Sequence, residues 1–324
     1  MIVPSQPTLA DVEAAARRIA SFAWHTPLIR SPWLSAITGA TVWLKLEIVQ
    51  TTGSYKMRGA ANALARLTEQ RPDCDAVVTA SAGNHGLAVA WAAKLLGIRA
   101  RVHVPATAPA VKKDTLAAFG AVVVEAPTYD EAEKRGRQDA ETRGTVFLSP
   151  YNHPDVIAGA GTVALEMLVD EPSLDTIVAP LGGGGLLSGT AIVARAMRDG
   201  ALVIGAEAEA SPVFTAALAA GHVVDVRVDP TLADGLAGNM DHTSQTFGIV
   251  RDLVDHVVLV AESSIELAMR DLVRRERVIA EGAGATGAAA LLQRGLDLKG
   301  RHVGVILSGR NVDADVIAGI LGAV

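Results

Sequence analysis

The sequence has one cysteine, no long apolar run and no excess of basic residues, and each shortage excludes a class of protein. The lone Cys74 excludes an internal disulfide framework and a cysteine-rich zinc site. No stretch reaches the roughly 18 uninterrupted apolar residues of a membrane span, and residues 1–16 lack the apolar segment of a signal peptide. The 29 basic residues are scattered among 35 acidic ones, which is untypical of a nucleic-acid binder. We therefore expect a soluble, cytoplasmic protein without nucleic-acid or membrane partners.

Short β-branched runs alternate with alanine-rich helical patterns along all 324 residues. The predicted strands are 41–46, 76–79, 100–104, 121–124, 145–148, 176–179, 202–206, 257–260 and 302–307. Amphipathic segments between them include 86–96, 109–119 and 186–198. This alternation predicts an α/β fold of open, mainly parallel twisted sheets flanked by helices. Ligands of such folds bind where the carboxyl ends of strands lead into helices, so the loops at these ends are the candidate sites.

Four consecutive glycines, Gly182, Gly183, Gly184 and Gly185, connect the strand run 176–180 to the helical pattern that opens at Leu186. Glycines let successive backbone N–H groups converge on an anion, and the positive end of the helix dipole adds to the attraction. The alternative is a flexible turn, but the strand–glycine–helix context favours a phosphate cradle. A P-loop is excluded because no Gly-x-x-x-x-Gly-Lys occurs.

A dinucleotide-binding fold is the main rival. Gly183-x-Gly185-x-x-Ser188 nearly matches its fingerprint, and Glu207 closes the next strand run near the position of a ribose-binding acid. A literal Gly-x-Gly-x-x-Gly also occurs at 282–287, but the highly charged segment 274–280 before it gives no convincing strand. We interpret this second motif as the start of a helix rich in small residues. The rival function is therefore a dinucleotide-binding oxidoreductase, or a nucleotide sensor without catalysis.

Lysine usage favours a different cofactor. Among only seven lysines, Lys56 is distinctive because it follows Tyr55 and small residues at a junction between a strand and an alanine-rich helix. Burial at such a position lowers the pKa of a lysine and frees the amine for Schiff-base chemistry. A solvated lysine is the alternative for Lys56 taken alone. A Schiff-base lysine together with a phosphate cradle predicts pyridoxal 5′-phosphate (PLP).

Two more loops follow strand runs. In the loop of Ser81, Ala82, Gly83, Asn84 and His85, backbone N–H groups and the Ser81 hydroxyl are candidates to hold a substrate carboxylate, while the Asn84 amide is a candidate donor to the phenolic oxygen of the cofactor. Helix capping by Ser81 or Asn84 is the alternative. Ser308, after the run 302–307, is a candidate partner of the pyridine nitrogen, with simple turn chemistry as its alternative.

Taken together, these loops resemble the motifs of the serine/threonine dehydratases. The resemblance rests on Leu46-Glu47, Gln50, the run 52–60 around Lys56, Ser81 to His85, Gly182 to Gly185 and Ser308-Gly309, in the order and spacing of that family. It spans essentially the whole chain. Departures are mild, with Thr51 where proline is usual and Gly86 where alanine is common.

The resemblance implies fold type II of the PLP enzymes and a homodimer. It implies a large PLP-binding domain of residues 1–68 and 150–324, with residues 69–149 inserted as a small domain. Lys56 would be the catalytic Schiff-base lysine and Tyr55 would pack against the ring. The other cofactor-binding residues would be Asn84, Gly182, Gly183, Gly184, Gly185, Leu186 and Ser308, and the substrate-binding residues would be Ser81, Ala82, Gly83, Asn84 and His85. Some relatives bind a cation through a glutamate matching Glu207, but Val213 stands at the aspartate position, so no metal is predicted.

The resemblance also implies the reaction, β-elimination of water from a 3-hydroxy amino acid such as L-threonine or L-serine to give a 2-oxo acid and ammonia. A racemase of the same family is the first alternative, although racemizing relatives carry serine where this chain has Ala82. A synthase that adds a nucleophile after elimination is the second.

Overall fold

The computed structural model describes residues 6–293 and 295–322. In these ranges the strands are β1 (Leu28–Arg30), β2 (Thr41–Leu46), β3 (Ala76–Ala80), β4 (Arg99–Pro105), β5 (Val122–Ala126), β6 (Val146–Phe147), β7 (Thr176–Leu181), β8 (Leu202–Ala208), β9 (His256–Val260) and β10 (His302–Leu307). The nine predicted strands are confirmed with small changes at their ends. The sequence analysis missed β1, which has three residues and no distinctive pattern.

Helices connect most of the strands. They are α1 (Leu9–Ile19), α2 (Pro32–Thr38), α3 (Lys56–Gln70), α4 (Asn84–Leu96), α5 (Ala110–Ala118), α6 (Tyr129–Thr142), α7 (Pro154–Asp170), α8 (Gly185–Met197), α9 (Val213–Ala220), α10 (Gln245–Leu253), α11 (Glu262–Asp271), α12 (Gly282–Leu292) and α13 (Ala314–Gly322). The glycine motif at 282–287 opens α12, as predicted, and follows no strand. Within the described ranges, none of the helices combines the length and the apolar character that crossing a membrane requires.

The strands form two sheets, and the α/β fold class is confirmed. A six-stranded sheet has the order β1-β2-β10-β7-β8-β9, and every pair in it is parallel except the edge pair β1–β2. A four-stranded, wholly parallel sheet has the order β5-β4-β3-β6. All six residues of β7 are buried, as is typical of a central parallel strand covered by helices on both faces.

The strand order explains why distant segments of sequence meet. Because β2, β10 and β7 are neighbours and parallel, the loops after them lie side by side at one edge of the sheet. Two backbone hydrogen bonds connect two of these loops, from Tyr55 N to Ser308 O at 2.9 Å and from Arg310 N to Gly53 O at 2.9 Å. The strand β3 belongs to the four-stranded sheet, so the loop of Ser81 that follows it comes from the other sheet.

A buried ionic network anchors the first turn of α3. Arg58 is fully buried and donates to Glu47 (Nε to Oε2, 2.7 Å) and to Glu166 (Nη1 to Oε1, 2.7 Å). The ammonium group of Lys45 donates to Glu166 at 2.6 Å. Burial opposes the charge of Arg58, but the two carboxylates outweigh it and raise its pKa. Since Lys56 lies in the same turn, this network fixes the direction from which its side chain leaves the helix.

Candidate active site

One cavity of 660 Å³ lies between the two sheets, and every site residue predicted from the sequence lines it. These are Tyr55, Lys56, Ser81, Ala82, Gly83, Asn84, His85, Gly182, Gly183, Gly184, Gly185, Leu186 and Ser308. A cavity of this size suits a cofactor together with a small substrate.

The glycine run forms a bare backbone surface at the start of α8. Gly184 has a φ of +85°, a conformation that costs little only for glycine. A Cβ atom there would lie 2.6 Å from Phe214 Cζ and 2.9 Å from Thr246 Cβ. The loop can therefore carry no side chains, and its N–H groups and the N-terminus of α8 remain available to an anion.

Two side chains support this glycine run, and neither was identified from the sequence. Thr246 is buried and donates from Oγ1 to Gly183 O at 2.8 Å. The ring of Tyr151 packs directly on Gly183, while its hydroxyl accepts a hydrogen bond from Asp241 N at 2.8 Å. Burial raises the pKa of Tyr151 to about 12, so the hydroxyl keeps its proton. The run is thus held rigidly between these two residues.

Lys56 is the first residue of α3, and its amine donates to Pro150 O at 2.9 Å. Its Nζ also lies 5.2 Å from the centroid of the Tyr55 ring. The contrast with Lys45 is informative, because Lys45 is buried and has a carboxylate partner. The partner of the Lys56 amine in the cavity is a backbone carbonyl and not a carboxylate.

The loop of Ser81 turns sharply into α4. The N-cap of this helix is Gly83, which has no capping side chain, while the Ser81 hydroxyl accepts a hydrogen bond from Gly83 N at 3.2 Å within the turn. Neither Ser81 nor Asn84 therefore caps α4 with its side chain, which removes the alternative interpretation of this pair. The N–H groups of the first turn remain available at the cavity.

His85 is buried and neutral. Its Nε2 lies 3.1 Å from Leu148 O, and since a carbonyl can only accept, Nε2 carries the proton. Burial, together with the nearby charge of Lys56, lowers the pKa of His85 to about 3. The ring therefore brings no positive charge to the cavity at neutral pH.

Glu281, missed by the sequence analysis, also lines the cavity. It is 5% exposed and accepts a hydrogen bond from Asn84 Nδ2 at 2.6 Å. Burial raises its pKa to about 7, although the bond from Asn84 acts in the opposite direction. No motif pointed to Glu281, because it lies 197 residues from Asn84 in the chain.

This raised pKa predicts a pH effect on the stability of the apoprotein. A carboxyl group whose pKa is higher in the folded state stabilises the fold below about pH 4.5, and this contribution is lost as the pH rises through about 7. Glu281→Gln stays neutral, so between pH 5 and 8 the wild type should lose up to about 3 kcal/mol more unfolding free energy than the variant. Urea unfolding at both pH values measures this difference. The exposed control Glu141→Gln should follow the wild type, and equal pH dependence for wild type and Glu281→Gln would contradict the prediction.

Glu207, which the resemblance associates with a cation in some relatives, has partners within the chain. Its carboxylate accepts hydrogen bonds from Phe214 N at 2.6 Å and from Thr215 N at 2.9 Å, at the start of α9. The Thr215 hydroxyl donates to it as well, at 2.6 Å. Val213, at the aspartate position, is buried and apolar. This geometry gives Glu207 a structural role at the N-terminus of a helix.

The geometry fits a phosphorylated aldehyde cofactor. The glycine run leaves no room for side chains, so its backbone can hold a phosphate at the N-terminus of a helix. A lysine amine and the buried Ser308 line the same cavity. A dinucleotide is less well matched, because its fingerprint needs no lysine and the literal glycine motif at 282–287 follows no strand. The fold and the site define an α/β enzyme in which a lysine amine and a glycine-rich helix N-terminus line one cavity.

Comparisons with known proteins agree with this class. The model of a family described as pyridoxal-phosphate dependent enzyme matches residues 19–309. An L-threonine ammonia-lyase of Thermotoga maritima is 41% identical over 97% of this chain and 78% of its own. An L-threo-3-hydroxyaspartate ammonia-lyase of Saccharomyces cerevisiae is 39% identical over 97% and 95%. The structure of maize serine racemase superposes with a TM-score of 0.91 at 33% identity, covering 97% of each chain. The chain belongs to the pyridoxal-phosphate-dependent enzyme family, its cofactor is PLP, and its fold is fold type II of these enzymes.

Proposed function

We propose that this protein is a PLP-dependent ammonia-lyase that eliminates water from a 3-hydroxy amino acid of the L-threonine or L-serine type. The observation that carries the proposal is the convergence of the lysine, glycine, Ser81 and Ser308 loops on one cavity in a chain of this family. The names of the relatives from Thermotoga maritima and Saccharomyces cerevisiae agree on the reaction class, since both are ammonia-lyases.

Bound PLP supplies an electron sink for the charge that remains when the Cα proton of an amino acid is removed. The residues of the chain do the rest. Lys56 would hold the cofactor, and its Nζ would take the Cα proton of the substrate. The N–H groups at the start of α4, with Ser81, would hold the substrate carboxylate, and the glycine run with Leu186 would hold the phosphate. The Ser308 hydroxyl would be the partner of the pyridine nitrogen. Because a hydroxyl, unlike a carboxylate, does not force protonation of that nitrogen, Ser308 would favour loss of the β-hydroxyl group.

The group at the β-carbon of the substrate distinguishes one 3-hydroxy amino acid from another. The cavity is lined by Lys112, whose Nζ lies 3.9 Å from the carboxylate of Asp234, and by Glu133.

The defining experiment is a panel of L-threonine, L-serine, 3-phenylserine and 3-hydroxyaspartate, assayed for 2-oxo acid release. Turnover of any member supports the reaction class, and the highest kcat/KM identifies the substrate. A PLP-loaded enzyme that releases 2-oxo acid from none of them would contradict the proposal.

Racemization is the second candidate, and the similarity to maize serine racemase favours it. Elimination needs one base on one face of the planar intermediate, whereas racemization also needs a proton donor on the other face. Ala82 lines the cavity and offers a methyl group, which neither gives nor accepts a proton. Elimination is therefore the better supported function.

We expect Ala82→Ser to raise racemization relative to elimination, because it adds a hydroxyl where racemizing relatives of this family carry one. The gain in the ratio of D-amino acid to 2-oxo acid should be about tenfold or more, as general acid–base groups contribute roughly 10²–10⁴. Chiral chromatography of residual substrate, with 2-oxo acid measured in the same sample, gives this ratio. Ala92→Ser on the buried face of α4 is a control that places a hydroxyl away from the cavity lining. An unchanged ratio in Ala82→Ser would remove Ala82 as the determinant of reaction choice.

We also propose a division of the chain into two domains. The six-stranded sheet draws its strands from residues 28–46 and 176–307, and the four-stranded sheet from residues 76–147, which supports a large domain of 1–68 and 150–324 and a small one of 69–149. Residues 1–5, 294, 323 and 324 lie outside the described residues. A homodimer and a cytoplasmic location are proposed from the family resemblance and the composition.

A further inference from the structure

Asn311 lies three residues after Ser308 and was not identified as a site residue from the sequence. Its Nδ2 donates to Thr52 O at 2.8 Å and to Asn84 Oδ1 at 2.6 Å. Asn84 Nδ2 in turn donates to Glu281 Oε1 at 2.6 Å. These contacts form one continuous chain of hydrogen bonds from the lysine loop to the wall of the cavity.

The orientation of both amides follows from the first acceptor in this chain. An asparagine side chain turned by 180° has nearly the same shape, so its partners decide which end is nitrogen. Thr52 O is a backbone carbonyl and can only accept, so the nitrogen of Asn311 must face it. Both N–H groups of Asn311 are then used, the second by Asn84, which must present its oxygen. The nitrogen of Asn84 is thereby directed to Glu281, and its second N–H remains for a ligand.

The backbone leaves room for this arrangement. Gly53 has a φ of +74°, and a Cβ atom there would lie 2.5 Å from Asn311 Oδ1. The antiparallel bridge between Ser54 and Gly309 holds the two loops together beside it. The amide of Asn311 therefore occupies a space that a glycine keeps free.

We infer that Asn311 is a positioning residue that fixes the orientation of the Asn84 amide, so that Asn84 offers an N–H group, and not its oxygen, to the phenolic oxygen of PLP. This inference rests on the proposed role of Asn84. An N–H donor stabilises the anionic form of a phenol, whereas an amide oxygen would repel it. Asn311 exerts this effect through its hydrogen bond to Asn84.

The test uses Asn311→Asp, which keeps the shape of the side chain but has no N–H group. The variant can no longer donate to Thr52 or Asn84, so Asn84 should turn its nitrogen towards residue 311. We expect the apoprotein to bind PLP about tenfold more weakly, as befits one lost hydrogen bond to a charged group. The visible absorbance band of bound PLP should titrate about 0.5–1 pH unit higher. Asn311→Ala, which removes both donors without adding charge, should shift both values in the same direction.

A double-mutant cycle tests the positioning role of Asn311 separately from the proposed role of Asn84, on which the inference rests. Asn84→Ala should raise the pH midpoint, and adding Asn311→Asp to it should give no further shift, because both substitutions remove the same donor. If Asn84→Ala shifts the midpoint but Asn311→Asp does not, or if the two shifts add, the inference is overturned while the role of Asn84 stands. If Asn84→Ala leaves the midpoint unchanged, the proposed role of Asn84 fails, and the inference with it.

The matched control is Gln293→Glu. The amide of Gln293 also bridges backbone groups, donating to Leu259 O and accepting from Ala261 N, both at 2.8 Å, but it is absent from the cavity lining. The variant should bind PLP with wild-type affinity and an unchanged pH midpoint. A midpoint shift in this control equal to that of Asn311→Asp would mean that loss of any bridging amide disturbs the site, and would contradict a specific role for Asn311.

Discussion

Lys56→Ala should abolish the visible absorbance of the bound cofactor near 410 nm, which is typical of a lysine–pyridoxal Schiff base, and lower kcat at least about a thousandfold. Lys56 is the lysine that leaves α3 directly into the cavity, beside the glycine run and Ser308. In the proposed mechanism, the substitution removes both the covalent attachment and the base at Cα. The absorption spectrum of the purified variant and its 2-oxo acid release measure the two losses separately.

Lys94→Ala is the control for this experiment. Lys94 is exposed on α4, and its amine donates to Ala118 O at 3.3 Å, away from the cavity lining. This variant should keep both the band and the turnover of the wild type. A Lys56→Ala variant that kept a reducible lysine–cofactor bond would place the attachment on another residue.

Gly184→Asp should weaken PLP binding to the apoprotein at least about a hundredfold. Three effects add: a side chain at φ +85° strains the backbone, a Cβ atom meets Phe214 and Thr246, and a carboxylate repels the phosphate. The first two act on the loop itself, and the third acts only when phosphate is present. Titration of the apoprotein with PLP, followed by fluorescence, gives the dissociation constant.

The control variant Gly200→Asp distinguishes the loss of the phosphate-binding glycine run from a general disturbance of the structure. Gly200 has a φ of +73° in an exposed turn, and a Cβ atom there meets no neighbour within 4 Å. The Gly200→Asp variant therefore has the same backbone strain and the same added charge as Gly184→Asp. It should bind PLP as tightly as the wild type. Normal affinity in Gly184→Asp would mean that the phosphate binds elsewhere in the cavity.

Much of the site was predictable because its chemistry is local in sequence. The Gly182–Gly185 run and the segment around Lys56 each combine a strand, a special loop and a helix start within about a dozen residues, so their residue types reveal their geometry. The parallel sheet was predictable for the same reason, since β-branched runs such as 176–179 alternate with helical patterns. Four such loops, in the order in which they occur, predicted the cofactor.

The residues that the sequence analysis missed act over long separations. Glu281 meets Asn84 across 197 residues, and Asn311 meets Thr52 across 259. The adjacency of β2 and β10 brings Asn311 to Thr52, whereas Asn84 follows β3 and reaches Glu281 from the other sheet. Lys45 illustrates the same limit, because its strand pattern gave no sign of the partly buried carboxylate of Glu166 on α7. Local sequence patterns indicate where a loop begins, but the tertiary fold determines which residues that loop contacts.

The most direct test of the proposed function is a complete product balance for the PLP-loaded wild type with L-threonine and L-serine. Ammonia, 2-oxo acid and D-amino acid are measured in the same sample as substrate is consumed. Our account predicts ammonia and 2-oxo acid in equal amounts that account for nearly all of the lost substrate of at least one of the two, with little D-amino acid. Accumulation of D-amino acid without matching ammonia would contradict it and would make this protein a racemase.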